Sequence, residues 1–225
     1  MPFRVIASGV LVLMLSACVQ NVEHTGQPVP GPARSAAASV PEIPSRVDEA
    51  AFWRIVETAR VRGGGDPYDM AELLESWFAD AQDRTLREFQ RELIRASARL
   101  YTWRHGDAAE MMCGGVSDDV FTDWRSWVIT LGRETYSRVA ENPDNLADVE
   151  DLSEACDAGG EFFGAAAGLV HFRRHGDDDT FPVLEPDESP SGRRLTDPGA
   201  VRRALPRLAK RLPDDGLGRP PLPPD

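Results

Sequence analysis

The chain has 225 residues, of which 41% are hydrophobic and 28% are charged, and its formal net charge at pH 7 is -12. This length allows one domain of ordinary size with room for a leader, a tether and a tail, and the composition excludes a polytopic membrane protein. The acidic balance argues against a nucleic-acid-binding protein, because phosphate contacts need clustered Lys and Arg side chains.

The N-terminal residues predict a lipoprotein signal peptide. Arg4 precedes an apolar run from Val5 to Leu15, which is too short to span a bilayer comfortably as a permanent helix. The run ends in Leu15-Ser16-Ala17-Cys18, which resembles the bacterial lipobox, where cleavage precedes a lipid-modified cysteine. We expect residues 1–17 to be removed and lipidated Cys18 to anchor the protein to a membrane without spanning it. The alternative is an ordinary cleaved signal peptide with an incidental cysteine.

Residues 18–46 predict a flexible tether. Five prolines and two glycines lie between Gln20 and Arg46, and such a segment cannot bury enough apolar surface to order itself. The domain is therefore expected in the cell envelope, facing outside the cytoplasm. Because Val19 rather than Asp follows the cysteine, the outer membrane is the favoured location in a bacterium with two membranes.

Residues 47–175 predict an all-α domain of about six to seven helices, because apolar residues recur there at helical spacing. A first helix ends at Gly63-Gly64-Gly65, which lack the Lys and Ser or Thr of a phosphate-binding loop. Asp66-Pro67 opens a second helix, and Thr85 with Glu88 forms a capping box that predicts the start of a third.

The second half of the domain follows the same periodicity. Ser117 predicts an N-cap, and Gly132 is expected to bend or interrupt the helix that Ser117 starts, before Asn142-Pro143 ends it. Further helical stretches are predicted at Asp107–Cys113, Ala147–Ala158 and Glu161–Arg174. Residues 176–225 predict an irregular acidic and proline-rich extension with a possible short helix at 198–212, where Pro206 is an unfavourable interior residue.

The block around Ser117 also carries a family resemblance. It reads Gly-Gly-Val-Ser-Asp-Asp from Gly114, and the chain from about residue 48 to residue 175 resembles the bacterial domain-of-unknown-function family 4240. The family's cysteine before Ser-Asp-Asp is Val116 here, and its phenylalanine before the arginine is Trp124, so thiol chemistry at this corner is ruled out. The resemblance implies no activity. The matching residues are Gly114, Gly115, Ser117, Asp118, Asp119, Phe121, Arg125, Trp127, Gly132, Arg133, Glu134 and Tyr136.

The acidic corner has a structural and a functional interpretation. A serine cap and two first-turn carboxylates, Asp118 and Asp119, stabilise a helix start without any further role. Alternatively, Asp119 and Asp123 share a helix face with Glu110 and bind a hard cation or a basic partner. Arg125 could instead neutralise Asp118 or Asp119. A catalytic carboxylate pair is disfavoured, since no separate nucleophile or base accompanies it.

Three further groups of residues have both a functional and a structural interpretation. His171 and His175 are four residues apart and could bind zinc, but the histidines of a last helical turn also interact favourably with the helix dipole. Cys113 and Cys156 form either a disulfide, which an exported protein permits, or two small core residues. The five tryptophans lie mostly at helical core spacing, and an aromatic ligand pocket is the alternative.

These observations favour a lipid-anchored envelope protein whose helical domain is a non-catalytic interaction module. Its expected partners are the membrane, through Cys18, and an unidentified protein or envelope component, and no cofactor is implied. The alternative is an enzyme or a metal-dependent ligand-binding domain that uses Glu110, Asp119 and Asp123.

Overall fold

A computed structural model describes residues 42–177, 179–183 and 189–212. This part of the chain is helical and contains no β-strand, so the all-α prediction is confirmed. The α-helices are α1 (Glu49–Arg62), α2 (Pro67–Phe78), α3 (Asp83–Arg99), α4 (Trp103–Cys113), α5 (Asp118–Thr130), α6 (Arg133–Glu141), α7 (Gly159–His175), α8 (Pro198–Ala204) and α9 (Pro206–Arg211). Two 3₁₀ helices, Pro143–Asp148 and Ser153–Cys156, lie between α6 and α7.

The domain begins where Val47 enters the core. Val47 is buried, and its N–H donates a 2.8 Å hydrogen bond to Glu88 on α3. The predicted capping box is therefore wrong, because Glu88 binds a residue distant in sequence and Thr85 lies inside α3, which starts at Asp83. A capping box depends on residues close in sequence, whereas here Glu88 accepts a hydrogen bond from Val47, which is distant in sequence.

Helix α7 packs closely against α2 and α5 at the centre of the domain. At Gly160 an added Cβ atom would lie 2.1 Å from the backbone oxygen of Asp123, and at Gly164 it would lie 2.9 Å from Oγ of Ser126. Only glycine permits this approach of α7 to α5. The contact brings the first two turns of α7 beside the middle of α5, an arrangement that creates one of the cavities described below.

The predicted boundaries of α5 and α6 are confirmed. Ser117 caps α5 by accepting a 3.3 Å hydrogen bond from the N–H of Val120. Gly132 has a φ of 87°, a conformation that favours glycine, and it separates α5 from α6. Helix α6 ends before Asn142, whose side chain caps the 3₁₀ helix that Pro143 starts.

The helix predicted over Ala147–Ala158 is not continuous. The two 3₁₀ helices occupy this region, and Val149 between them is extended. The carboxylate of Asp151 accepts a hydrogen bond from the N–H of Ser153, which restarts the chain as a new turn. A short polar side chain that binds its own backbone competes with α-helix formation, and this explains the difference.

The described part of the C-terminal extension packs on the domain. In place of one helix over 198–212, α8 and α9 meet at Leu205-Pro206, because Pro206 cannot donate the hydrogen bond that would continue α8. Leu205 and Leu208 are fully buried in the core. The buried carboxylate of Asp144 accepts hydrogen bonds of 3.0 and 2.9 Å from the N–H groups of Arg207 and Leu208 and fixes the start of α9.

The predicted signal peptide, the lipobox with Cys18 and the tether up to residue 41 lie outside the described residues. The same holds for the end of the chain from residue 213. Within the part that the structure describes, no helix combines the length and the apolar composition needed to cross a membrane.

Candidate functional site

A cleft lies between α4, the start of α5 and the segment of residues 190–202, which includes part of α8. We call it the α4–α8 cleft, and its volume is about 610 Å³. Trp103 and Phe121 supply aromatic surface to the cleft, and Val201 supplies aliphatic surface. Backbone hydrogen bonds between Ser191 and the start of α4 hold the 190–202 segment in place, at 2.8 and 3.1 Å. The cleft therefore has two walls that are far apart in sequence.

Charged groups of both signs line this cleft. Asp107 is buried, and burial raises the pKa of its carboxyl above the ordinary value, although the backbone N–H of Leu195 and the charge of Arg194 act in the opposite direction. The Arg194 guanidinium lies 5.0 Å from the ring centre of Trp103. Glu110 and Asp118 are exposed at the same cleft, so carboxylates outnumber the guanidinium groups of Arg194 and Arg202.

The predicted site residues divide between different surroundings. Glu110, Ser117 and Asp118 line the α4–α8 cleft, whereas Asp123 lines a different cavity. Asp119 is exposed and lines neither cavity. Glu110, Asp119 and Asp123 were expected to converge, but the structure does not place them in one cavity. Asp118 takes the place expected for Asp119 because the first turn of α5 directs it toward α4.

Asp123 lies in a groove beside α7, about 340 Å³ in volume, which we call the α7 groove. Its floor and sides include Gly164, Gly168 and Phe172 of α7, and Phe181 and Val183 from the segment that follows α7 complete it. Phe172 and Val183 are 49% and 53% exposed, so the groove presents apolar side chains to solvent. Grouped exposed apolar side chains are typical of binding surfaces.

The polar part of the α7 groove includes two carboxylates and an unpartnered amide oxygen. Burial, followed by the negative charges of Glu161 and Asp119, raises the pKa of Asp123 to about 6, and the charge of Arg125 opposes this shift. Glu161 lines the same groove. Gln90 is also in its lining, is only 5% exposed, and its side-chain oxygen has no hydrogen-bond partner among the described residues.

Arg125, which could have neutralised Asp118 or Asp119, packs instead against two aromatic rings. Its guanidinium lies 4.7 Å from the ring centre of Tyr101 and 5.1 Å from that of Phe121. It also donates to the backbone oxygen of Phe121 and, at 2.9 Å, to the hydroxyl of Thr122. No ion pair joins it to Asp118 in the described part of the chain, so the exposed acidic corner keeps its negative charge.

His171 and His175 lie close to Asp83, and the three offer ligand atoms within 4.8 Å of one another. Nε2 of His175 is 2.6 Å from the Asp83 carboxylate. The guanidinium of Arg174 is 3.0 Å from Asp83, and that of Arg87 is 3.5 Å from Nε2 of His171. Two adjacent positive groups disfavour a divalent cation here. Burial raises the pKa of Asp83, but hydrogen bonds from Arg174 and His175 lower it, and the net pKa is below the ordinary value.

This cluster has a structural explanation. Arg174 donates to the backbone oxygens of Phe78, Ala79 and Ala81 at 2.6 to 2.8 Å, and these carbonyls lie at the end of α2 and just beyond it. The arginine thereby satisfies carbonyl groups that a helix end leaves unpaired. The last turn of α7 therefore links the end of α2 to the start of α3.

The structure joins Cys113 and Cys156 by a disulfide bond, with Cα atoms 5.4 Å apart. The bond ties the end of α4 to the second 3₁₀ helix. Among the tryptophans, Trp53, Trp77, Trp124 and Trp127 are buried in the core. Trp103 differs because it is partly exposed in the wall of the α4–α8 cleft. Trp103 therefore contributes to a cavity, and the other four tryptophans pack in the core and do not form an aromatic ligand pocket with it.

A family model described as "Protein of unknown function (DUF4240)" matches residues 47–170. The chain belongs to the DUF4240 family. The matched part of this DUF4240 protein runs from Val47, where the domain begins, into the last turns of α7. Neither a curated protein nor a solved structure matches the chain. The second wall of the α4–α8 cleft, residues 190–202, lies beyond the matched region.

Sequence reasoning missed two parts of these cavities. Residues 190–202 gave no sign of a cleft wall, because hydrogen bonds to α4 place them there and no local pattern encodes such contacts. The partnership of Asp123 with Glu161 was also missed. A signal for it was present, since Gly160, Gly164 and Gly168 recur every four residues and small residues at that spacing let another helix approach closely.

Proposed function

We propose that this DUF4240 protein is a lipid-anchored protein of a bacterial cell envelope whose helical domain is a non-catalytic interaction module. The α4–α8 cleft is its main binding surface, and its partner is an envelope protein that presents basic side chains. The single observation that carries this proposal is the convergence of Asp107, Glu110 and Asp118 beside the aromatic rings of Trp103 and Phe121.

The composition of the cleft supports binding. Arginine and lysine side chains pair with carboxylates and also stack on aromatic rings, so a basic segment can use both surfaces of the cleft at once. Ser117 is committed to capping α5, and His105 is buried with its Nε2 bonded to the backbone oxygen of Val139 at 3.0 Å. Nδ1 of His105 is 2.7 Å from the hydroxyl of Thr102, which caps α4, so both ring nitrogens of this histidine are engaged within the fold.

Two features support the location. The lipobox at Cys18 provides the attachment point, and the disulfide between Cys113 and Cys156 is typical of proteins that fold in oxidising compartments outside the cytoplasm. Two signals of different kinds therefore agree on export.

Site-specific photocrosslinking in the native host tests the interaction. A photoreactive amino acid at exposed Thr196, in the wall of the cleft, should form a discrete adduct with one envelope protein. The same group at Val61, which is 68% exposed on α1, serves as the matched control and should form none. Glu110→Gln combined with Asp118→Asn should weaken the Thr196 adduct at least about fivefold, since charge-assisted hydrogen bonds are lost.

Equal adducts from Thr196 and Val61, or an adduct insensitive to the double substitution, would contradict the proposed binding surface. The anchor is tested separately by incorporation of radioactive palmitate into the full chain. Cys18→Ala should abolish labelling and release the protein from membranes. Unchanged labelling in that variant would rule out the anchor and leave the crosslinking result standing on its own.

A further inference from the structure

The α7 groove combines an acidic end with a long apolar surface. Glu161, Gly164, Gly168 and Phe172 are spaced by three or four residues and therefore follow one face of α7. From Glu161 to Phe172 the helix rises roughly 16 Å, at about 1.5 Å per residue. The groove is thus elongated, with carboxylates near the start of α7 and aromatic and aliphatic side chains toward its end.

The acidic end contains hydrogen-bond acceptors that have no donor in the described part of the chain. Among the described residues, no hydrogen bond reaches the carboxylate of Asp123, and Thr122 and Ser126 beside it direct their hydroxyls to backbone oxygens. Gln90 contributes a buried amide oxygen that is also without a partner. A buried acceptor without a donor is costly to the fold, and a ligand that donates hydrogen bonds removes the cost.

The ligand that fits this arrangement carries a cation with several donors on a narrow apolar body. A primary ammonium group has three N–H donors and a positive charge, which suit the carboxylates of Asp123 and Glu161. A guanidinium group is wider and flat, and it usually pairs in a forked geometry for which Asp123 and Glu161, on different helices, are not arranged. The apolar part of the groove suits an unbranched alkyl chain.

We propose that the α7 groove binds a small primary alkylammonium ligand, with its ammonium group beside Asp123 and Glu161 and its alkyl chain along α7 toward Phe172. The volume of about 340 Å³ is at the lower end of the range for small-molecule sites and is too small for a helical peptide. This site is separate from the α4–α8 cleft and does not depend on the function proposed for it.

Calorimetric titration of the full chain with octylamine tests the proposal. Octylamine should bind saturably at one site, whereas octanol and octanoate, which keep the chain and lose the cation, should bind at least about tenfold more weakly. Butylamine should also bind at least about tenfold more weakly, because it leaves much of the apolar surface in water. These comparisons use the unaltered protein and require no variant to fold.

Two substitutions test whether octylamine binds in the α7 groove. Asp123→Asn should reduce octylamine affinity at least about tenfold by removing the charge and keeping the shape. Asp69→Asn, on exposed α2 surface outside the groove, is the matched control and should leave the affinity unchanged. Circular dichroism checks that both variants are folded. Equal binding of octanol or octanoate, absence of saturable octylamine binding, or equal effects of the two substitutions would each overturn the proposal.

Discussion

The two ends of the acidic sequence on α5 meet different surroundings. Asp118, in the first turn, is exposed at the α4–α8 cleft and lies at the positive end of the helix dipole. Asp123, little more than one turn later, is partly buried against α7, and its pKa is raised to about 6. Neighbours supplied by other helices, rather than position on α5, therefore decide what each carboxylate contributes. The following predictions test that contrast.

The largest expected effect concerns the disulfide beside the α4–α8 cleft. Replacing Cys113 and Cys156 with alanine should lower the free energy of unfolding by about 4 kcal/mol, as the chain-entropy model gives for a loop with a separation of 43 residues. Urea denaturation measures the loss. The titration of Asp123 should stay unchanged in the folded variant, and a shifted titration would show that the two ends of α5 are not independent.

The next largest effect concerns the contact that surrounds Asp123. Gly160→Ala should destabilise the protein by about 3 kcal/mol, because its Cβ atom would lie 2.1 Å from the backbone oxygen of Asp123 and a backbone cannot move aside cheaply. Gly106→Ala is the control. Its Cβ atom would meet Phe121 at 3.8 Å, so alanine should stabilise α4 by about 0.5–1 kcal/mol. Thermal denaturation should show a lower melting temperature for Gly160→Ala and a higher one for Gly106→Ala.

A matched pair of substitutions compares the carboxylates directly. Asp123→Asn should stabilise the protein at pH 7.5 by about 1–2 kcal/mol after allowance for solvent screening, because it removes a partly buried charge. Asp118→Asn should destabilise it by about 0.3–1 kcal/mol through loss of the helix-dipole interaction. Urea denaturation of both variants at one pH gives the comparison. Effects of the same sign would contradict it.

The pH dependence of stability follows from the direction of the Asp123 shift. Folding raises this pKa from 3.8 to about 6, so the folded state binds the proton more tightly than the unfolded state does. The resulting stabilisation is complete below pH 3.8 and is lost as the pH rises through about 6. Between pH 4 and pH 7 the free energy of unfolding should therefore fall in the unaltered protein relative to the Asp123→Asn variant.

A further small effect concerns the cap of α5. Ser117→Ala should cost about 1 kcal/mol, because the N–H of Val120 loses its hydrogen-bond acceptor. Ser117→Gly should cost only a few tenths of a kcal/mol, since glycine adopts the cap conformation readily and leaves the N–H open to water. Thermal denaturation resolves the difference. An equal loss in both variants would show that the serine acts through contacts other than the cap.

Local signals in the sequence accounted for much of the helical framework. Ser117, Gly132 and Asn142-Pro143 mark boundaries that the structure confirms, because caps and helix breakers act over a few residues. The predicted capping box at Thr85 and Glu88 was wrong because Glu88 makes a long-range contact instead, accepting a hydrogen bond from the N–H of Val47. Polar side chains that bind their own backbone likewise divided the helix predicted over Ala147–Ala158.

The candidate sites were predicted less completely. Glu110, Ser117 and Asp118 were named in advance and do line one cleft, because the glycine turn between α4 and α5 keeps them near each other. Asp123 was assigned to the same group on helical spacing alone. Its actual partner, Glu161, is distant in sequence, and only the packing of α7 on α5 brings the two carboxylates together.

The hydrogen bond between Val47 and Glu88 has a mechanical consequence for the anchored protein proposed above. A pull from the anchor would reach Ile43, which packs on the core, and then Ser45 and Val47, whose backbone groups bond Thr85 and Glu88 of α3. None of these residues lines the α4–α8 cleft or the α7 groove. A load on the anchor would therefore be met first by these contacts with α3, a helix that contributes no residue to the α4–α8 cleft.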